Sequence, residues 1–217
     1  RGGKQNPEDS GVLSFELQAL AALGRIEEIN KLINETVTMP PGGTNPGWLM
    51  IGAARELKLH GFKKESLELA ERAIKWLEAG PSEETNTEDH RSMLASAFYV
   101  AERWEDARTL YEGLLKDNPA SLGYLAYCGC LAARRGDRGE AFRISKQLEA
   151  MNKPYLFGKV AYNRACIASL LGEKEDAVRL LQEAISQGLY FDTLYTELDL
   201  EPLHDYQPFK ELMKPKG

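Results

Sequence analysis

One pattern occurs five times along the chain, and it restricts the fold more than any other feature. A chain-reversing position, Gly24, Gly61, Glu102, Gly136 or Gly172, is followed five residues later by Ile29, Ser66, Ala107, Ala141 or Ala177. Four residues further on stand Ile33, Ala70, Tyr111, Ser145 and Leu181, and three beyond those come Thr36, Ala73, Leu114, Leu148 and Ala184. Offsets of four and three keep side chains on one face of a helix. The reversing positions lie 37, 41, 34 and 36 residues apart, so each copy is one unit of supersecondary structure and the variation in length falls in loops.

The copy from Ala161 to Gly188 shows why such units need company. Ala161, Ala165, Ala168 and Leu171 give a narrow face of mostly small groups that lets another helix approach closely, and Gly172 ends that helix. Glu175 and Asp176 then suit a helix N-terminus, and Ala177, Leu180, Leu181, Ala184 and Ile185 form a second apolar stripe. Two stripes on one hairpin cannot bury each other completely, so hairpins of this kind stack on their neighbours. With 217 residues and 43% hydrophobic content the chain is expected to bury a continuous core lengthwise, as one elongated domain.

At these residues the sequence resembles the tetratricopeptide repeat (TPR) family. The resemblance rests on the turn glycine, the residue five positions later, the apolar residue four after that, the next small residue, and closing prolines at Pro41 and Pro119. It implies an all-α fold, an α-solenoid in the form of a right-handed superhelix, of about five TPR-like helical hairpins plus a C-terminal capping helix. Residues 1–10 are expected to be a polar N-terminal linker, 11–188 the solenoid and 189–217 the capping segment. Three departures stand out. The early-helix glycine of the family is present only at Gly129, Glu102 replaces one turn glycine, and Ile29 is large where a small residue is usual. The tail LDLEPLHDYQPFKELMK also looks like the ends of bacterial multidomain regulatory proteins whose repeats follow a kinase, cyclase or DNA-binding domain. That makes a missing upstream domain the expectation for a chain that opens on Arg1.

Charge and composition narrow the function. A net charge of −6 with no basic run argues against nucleic acid, which needs a cationic face to neutralise phosphates. No stretch approaches the length of a membrane-spanning helix, and no secretory pattern opens the chain. Three cysteines, with Cys128 and Cys130 two apart on one helix, give no disulfide framework and suit a reducing cytoplasm. Cys130 and Cys166 fall on the first helices of neighbouring repeats, where they are either buried small apolar groups or a thiol site. His60, His90 and His204 show no metal-ligand spacing, no phosphate loop is present, and the acidic pairs sit where helix dipoles explain them. The reading is therefore non-enzymatic, with no catalytic residue, metal or cofactor.

In the TPR family the first helix of each hairpin lines a concave groove. The resemblance carries that role onto Trp48, Ile51, Arg55, Lys58, Ser96, Tyr99, Tyr127, Tyr162 and Asn163 as a peptide-binding surface, with Phe15, Gln18, Ser92, Cys130 and Cys166 on the same side. Tyrosine and tryptophan supply contact area with polar tips, and arginine can hold a carboxylate with two hydrogen bonds, so the surface suits a peptide carrying apolar and acidic groups. The competing reading is that several of these aromatics fill space between repeats, and that Glu84 or Asp89 neutralises Arg55 and Lys58. The family's lysine and asparagine clamp for a terminal carboxylate is not reproduced, since only Asn163 fits it. A protein or peptide partner held in the groove is the expected function. The alternative is a ligand- or peptide-sensing regulatory region of a larger bacterial signalling protein.

Overall fold

The computed structural model describes residues 10–38, 45–80, 87–151, 153, 155–190 and 194–214. The linker expected at 1–10 lies almost wholly outside them, as do Pro41, Glu84 and most of the loops between 38 and 47 and between 80 and 86. Among the described residues the fold is all-helical, without strands. Ten α-helices follow one another as five hairpins: α1 (Ser10–Ala22) with α2 (Ile26–Val37), α3 (Pro46–Leu59) with α4 (Lys63–Glu78), α5 (Glu88–Val100) with α6 (Trp104–Asp117), α7 (Leu122–Arg134) with α8 (Arg138–Ala150), and α9 (Lys159–Leu170) with α10 (Lys174–Ser186). A 3-10 helix (Leu198–Leu203) and α11 (Gln207–Leu212) complete the chain. The helices pack as adjacent pairs in the manner of an α-solenoid. Two compact units divide the molecule, residues 1–110 and residues 111–217.

One closure is repeated inside every hairpin. The N–H of Arg25, Phe62, Arg103, Asp137 and Glu173 donates to the carbonyl of Leu20, Leu57, Phe98, Ala132 and Ala168 respectively, five residues back. The N–H of the reversing residue itself donates to the carbonyl three residues back, from Gly24 to Ala21 and from Gly172 to Ser169. These are the paired hydrogen bonds of a helix ending on a left-handed residue, and the five reversing residues have φ between 60° and 87°. Glycine adopts that conformation freely, whereas Glu102 holds φ 60° at a cost on the order of 1 kcal/mol.

Most first and second helices begin differently because the chain reaches them differently, although the Asp137 side chain caps α8 by accepting from the Glu140 N–H and α9 starts from the left-handed Gly158. Helices α3, α5 and α7 emerge from loops, and the side chains of Asn45, Thr87 and Ser121 accept hydrogen bonds from the N–H of Trp48, His90 and Tyr124. Second helices emerge directly from the left-handed turn and carry acids in their first turn: Glu27 and Glu28, Glu65, Glu105 and Asp106, Glu140, Glu175 and Asp176.

The repeated positions form the core. Ile29, Ser66, Ala107, Ala141 and Ala177 are all buried, as are the residues four and seven further along each second helix, except the half-buried Ser145. Small size at the first of these sites sets how near the paired helices come. Where the residue is polar, as at Ser66, its hydroxyl donates to the Ala54 carbonyl of α3 at 2.7 Å, so the close approach leaves no orphan group. In the second unit Gly129 of α7 marks a tight crossing: a Cβ there would lie 2.5 Å from Ile167 Cδ1 of α9 and 2.9 Å from Ile144 Cγ2 of α8.

The tail adds a second set of buried side chains. Leu198, Leu200 and Leu203 of the 3-10 helix and Phe209 and Leu212 of α11 are buried, the former element lying on α9 and the latter on α10. Only α11 was expected from the sequence. Pro202 lies inside this short 3-10 helix and has no N–H to donate to it.

Two helical glycines in the second unit should respond oppositely to alanine. Gly129→Ala is expected to destabilise by roughly 1–3 kcal/mol through overpacking. Gly113→Ala, where nothing lies within 4 Å of an added Cβ, should stabilise by up to about 1 kcal/mol. Urea midpoints of the two variants measure this, and equal midpoints would show that the Gly129 crossing is not tight.

Candidate functional site

Within the first unit, the cations expected to face a partner are already engaged. Lys58 Nζ on α3 lies 2.7 Å from Glu102 Oε1, and Lys63 Nζ lies 3.1 Å from the same oxygen. The Lys58 side chain is 9% exposed and its ammonium stands 5.9 Å from the centre of the Trp104 ring. Trp104 in turn meets Tyr99 edge to face, with ring centroids 5.2 Å apart. The partner of Lys58 is thus Glu102, not Asp89, and the residue that breaks the glycine pattern at the third turn supplies the countercharge. Burial pushes the Glu102 carboxyl up, but hydrogen bonds and charge from Lys58 and Lys63 outweigh it and hold the carboxyl below its ordinary value of 4.5.

The remaining first-unit residues separate by exposure. Ile51 and Tyr99 are buried and belong to the core. Arg55 and Ser96 are half-buried and have partners of their own. Trp48 is 57% exposed at the start of α3. Phe15 on α1 is also exposed.

Among the sequence-derived residues, the second unit brings Tyr162 and Asn163 together at an open cleft of about 680 Å³. Its floor and walls are Leu122 and Gly123 from the start of α7, Leu156 and Phe157 from the segment before α9, and Gly188, Leu189 and Tyr190 from the segment after α10. Lys159 is the charged group of the lining. Tyr127 stands elsewhere: its ring stacks on buried Tyr111 with centroids 4.4 Å apart and planes within 7°.

Phe157 is 60% exposed and Tyr190 81%. Tyr155 and Phe157 sit at φ 70° and 47°, a left-handed region costly for bulky residues. This aromatic rim lies in the segments between hairpins, outside the first helices on which the repeat pattern placed the candidate surface. The available signal was the presence of large aromatics, Tyr155, Phe157 and Tyr190, in stretches with no repeat position to fill.

Beside the cleft lies a buried polar cluster. The Tyr162 hydroxyl donates to Glu197 Oε2 at 2.5 Å, and Glu197 Oε1 accepts from the Asp199 N–H at 3.1 Å. The buried Asp199 carboxylate accepts from Arg134 Nη2 at 2.5 Å and from the Cys130 thiol. Burial first, then the negative field of Asp199 with contributions from Cys166 and Glu197, pushes the Cys130 thiol well up, so it stays protonated. Cys128, Cys130 and Cys166 are all buried, and the protonated, buried Cys130 thiol is a poor nucleophile.

Among the described residues no group of His, Cys, Asp and Glu is arranged to hold a metal, and no helix is long and apolar enough to cross a membrane. His60 is paired with Glu56, His90 is buried and His204 stacks on Phe209.

No protein-family profile matches the chain, and no curated protein matches it. Among solved structures it is similar to "MamA MSR-1 C2", at 16% identity and a TM-score of 0.40 over 82% of this chain and 95% of that one. It is likewise similar to "MamA AMB-1 P212121", at 16% identity and a TM-score of 0.38 over 82% and 90%. Likeness of this degree carries no conclusion about function.

The Glu102 contact gives a signed pH dependence. A carboxyl held below its unfolded value contributes stability that is present above the unfolded value and is lost as pH falls through the folded one. The stability difference between wild type and Glu102→Gln should therefore be largest near neutrality and shrink as pH falls below about 4.5. Urea unfolding across that range measures it. A difference that does not change with pH would remove the charge from the account of this turn.

Proposed function

We propose that this protein is a peptide-binding interaction module of the tetratricopeptide kind, and that its binding surface is the cleft of the second unit where Tyr162 and Asn163 meet the aromatic rim. The observation that carries the reading is the exposure of Phe157 and Tyr190 around an apolar floor that also offers polar groups. Large rings left in water beside a concavity supply contact area that a partner side chain can cover, and such residues dominate the energetics of many interfaces. The leucines accept a bulky apolar or aromatic side chain. The Asn163 carboxamide can both donate to and accept from a peptide backbone, and Lys159 at the mouth favours an acidic neighbour. Taken by itself, the first unit keeps Trp48 and Arg55 as candidate partner contacts, whereas Ile51 and Tyr99 are buried.

Selection from a random-peptide display library against the whole protein is expected to return sequences with an aromatic or large aliphatic residue close to Asp or Glu. Their affinity should fall roughly tenfold or more in a Phe157→Ala, Tyr190→Ala double variant, with no change in melting temperature because both rings are largely exposed. Selected peptides that bind the double variant as tightly as wild type would move the function away from this cleft.

A further inference from the structure

Tyr162 serves two surfaces at once. It lines the cleft, while its hydroxyl donates a hydrogen bond to Glu197 of the chain's own tail. The run Glu197-Leu198-Asp199-Leu200 has the chemistry that the neighbouring cleft is built to receive, acids alternating with bulky apolar groups, and it lies on first helices: its leucines are buried, Glu197 is held by α9 and Asp199 by α7. The two acids differ in how firmly they are held. Asp199 is 3% exposed and bound to Arg134, so removing it would strand a buried charge at high cost. Glu197 is half-buried, and on losing the Tyr162 hydrogen bond it would still accept the Asp199 N–H.

We propose that the tail is a built-in occupant of this face, anchored by Asp199 on Arg134. In this arrangement Glu197 competes with the carboxylate of an incoming acidic peptide for the Tyr162 hydroxyl. A phenol has one proton to donate, and a hydrogen bond from it to a carboxylate is about twice as strong as one to a neutral acceptor. Two carboxylates cannot share it without repelling each other. The cleft is therefore held below its full affinity for acidic ligands, and any event that withdraws or neutralises Glu197 raises that affinity while the Asp199 anchor stays in place. This inference rests on the cleft reading above and adds the partner's acid and its regulation.

The test uses the full chain as wild type, Glu197→Gln, Tyr162→Phe and the double variant. The probes are a fluorescent peptide Ser-Gly-Trp-Glu-Gly-Ser, blocked at both ends, and its Trp-Gln twin, with binding read by anisotropy. Glutamine keeps the shape of Glu197 and can still accept the Asp199 N–H, so the tail stays docked. Glu197→Gln should tighten binding of the Glu peptide roughly fivefold and leave the Gln twin unchanged. Tyr162→Phe should weaken the Glu peptide, and adding Glu197→Gln in that background should give no gain. If Glu197→Gln brings no tightening, or if the gain persists without the Tyr162 hydroxyl, the competition is overturned while the cleft reading stands. If the probe binds none of the four proteins, both are overturned.

Discussion

Everything in this molecule depends on how closely the two helices of a hairpin can approach across a left-handed turn. The turn fixes their relative direction by two backbone hydrogen bonds, and the buried residue five positions later fixes their separation. Where that residue is alanine no polar group is involved. Ser66 reaches the same end by donating its hydroxyl to the facing helix, and Ile29 is buried at the corresponding site of the first hairpin. Because each hairpin leaves apolar surface uncovered, stacking follows from the same residues that close the turn.

Glu102 shows how a departure from the repeat pattern is compensated. A left-handed glutamate is less favourable than glycine, yet its carboxylate reaches both Lys58 and Lys63, and the Trp104 ring stands by the Lys58 ammonium. The same contact occupies a cation that sequence logic had offered to a partner. In the second unit the tail does the corresponding thing, with Asp199 on Arg134 and Glu197 on Tyr162. Polar groups on the first helices are thus met by acids of the chain itself.

The hairpins, their reversing positions and the buried small residues were legible because they depend on spacing within about one helical turn, which periodicity reports directly. The caps at Thr87 and Ser121 were legible for the same reason. The candidate cleft was only partly so. Tyr162 and Asn163 line it from a first helix, where the sequence placed the candidate surface, but Phe157 and Tyr190 lie in connecting segments, and the left-handed backbone at Phe157 has no local signature in a residue that normally avoids it. The Glu197 and Asp199 contacts span 35 and 65 residues, and no periodic pattern encodes a contact of that range. Ile51 and Tyr99, expected either to line the groove or to fill space between repeats, are buried, because first helices in a stack bury more than one face.

The central claim is that the partner-binding surface of this chain is the aromatic cleft beside α9. Amide hydrogen exchange of the full protein, with and without a saturating display-selected peptide, tests it most directly. The account predicts slowed exchange in residues 156–163 and 188–190, with the second helices α2, α4 and α8 unchanged. Protection confined to those second helices, with 156–163 exchanging as in the free protein, would contradict it.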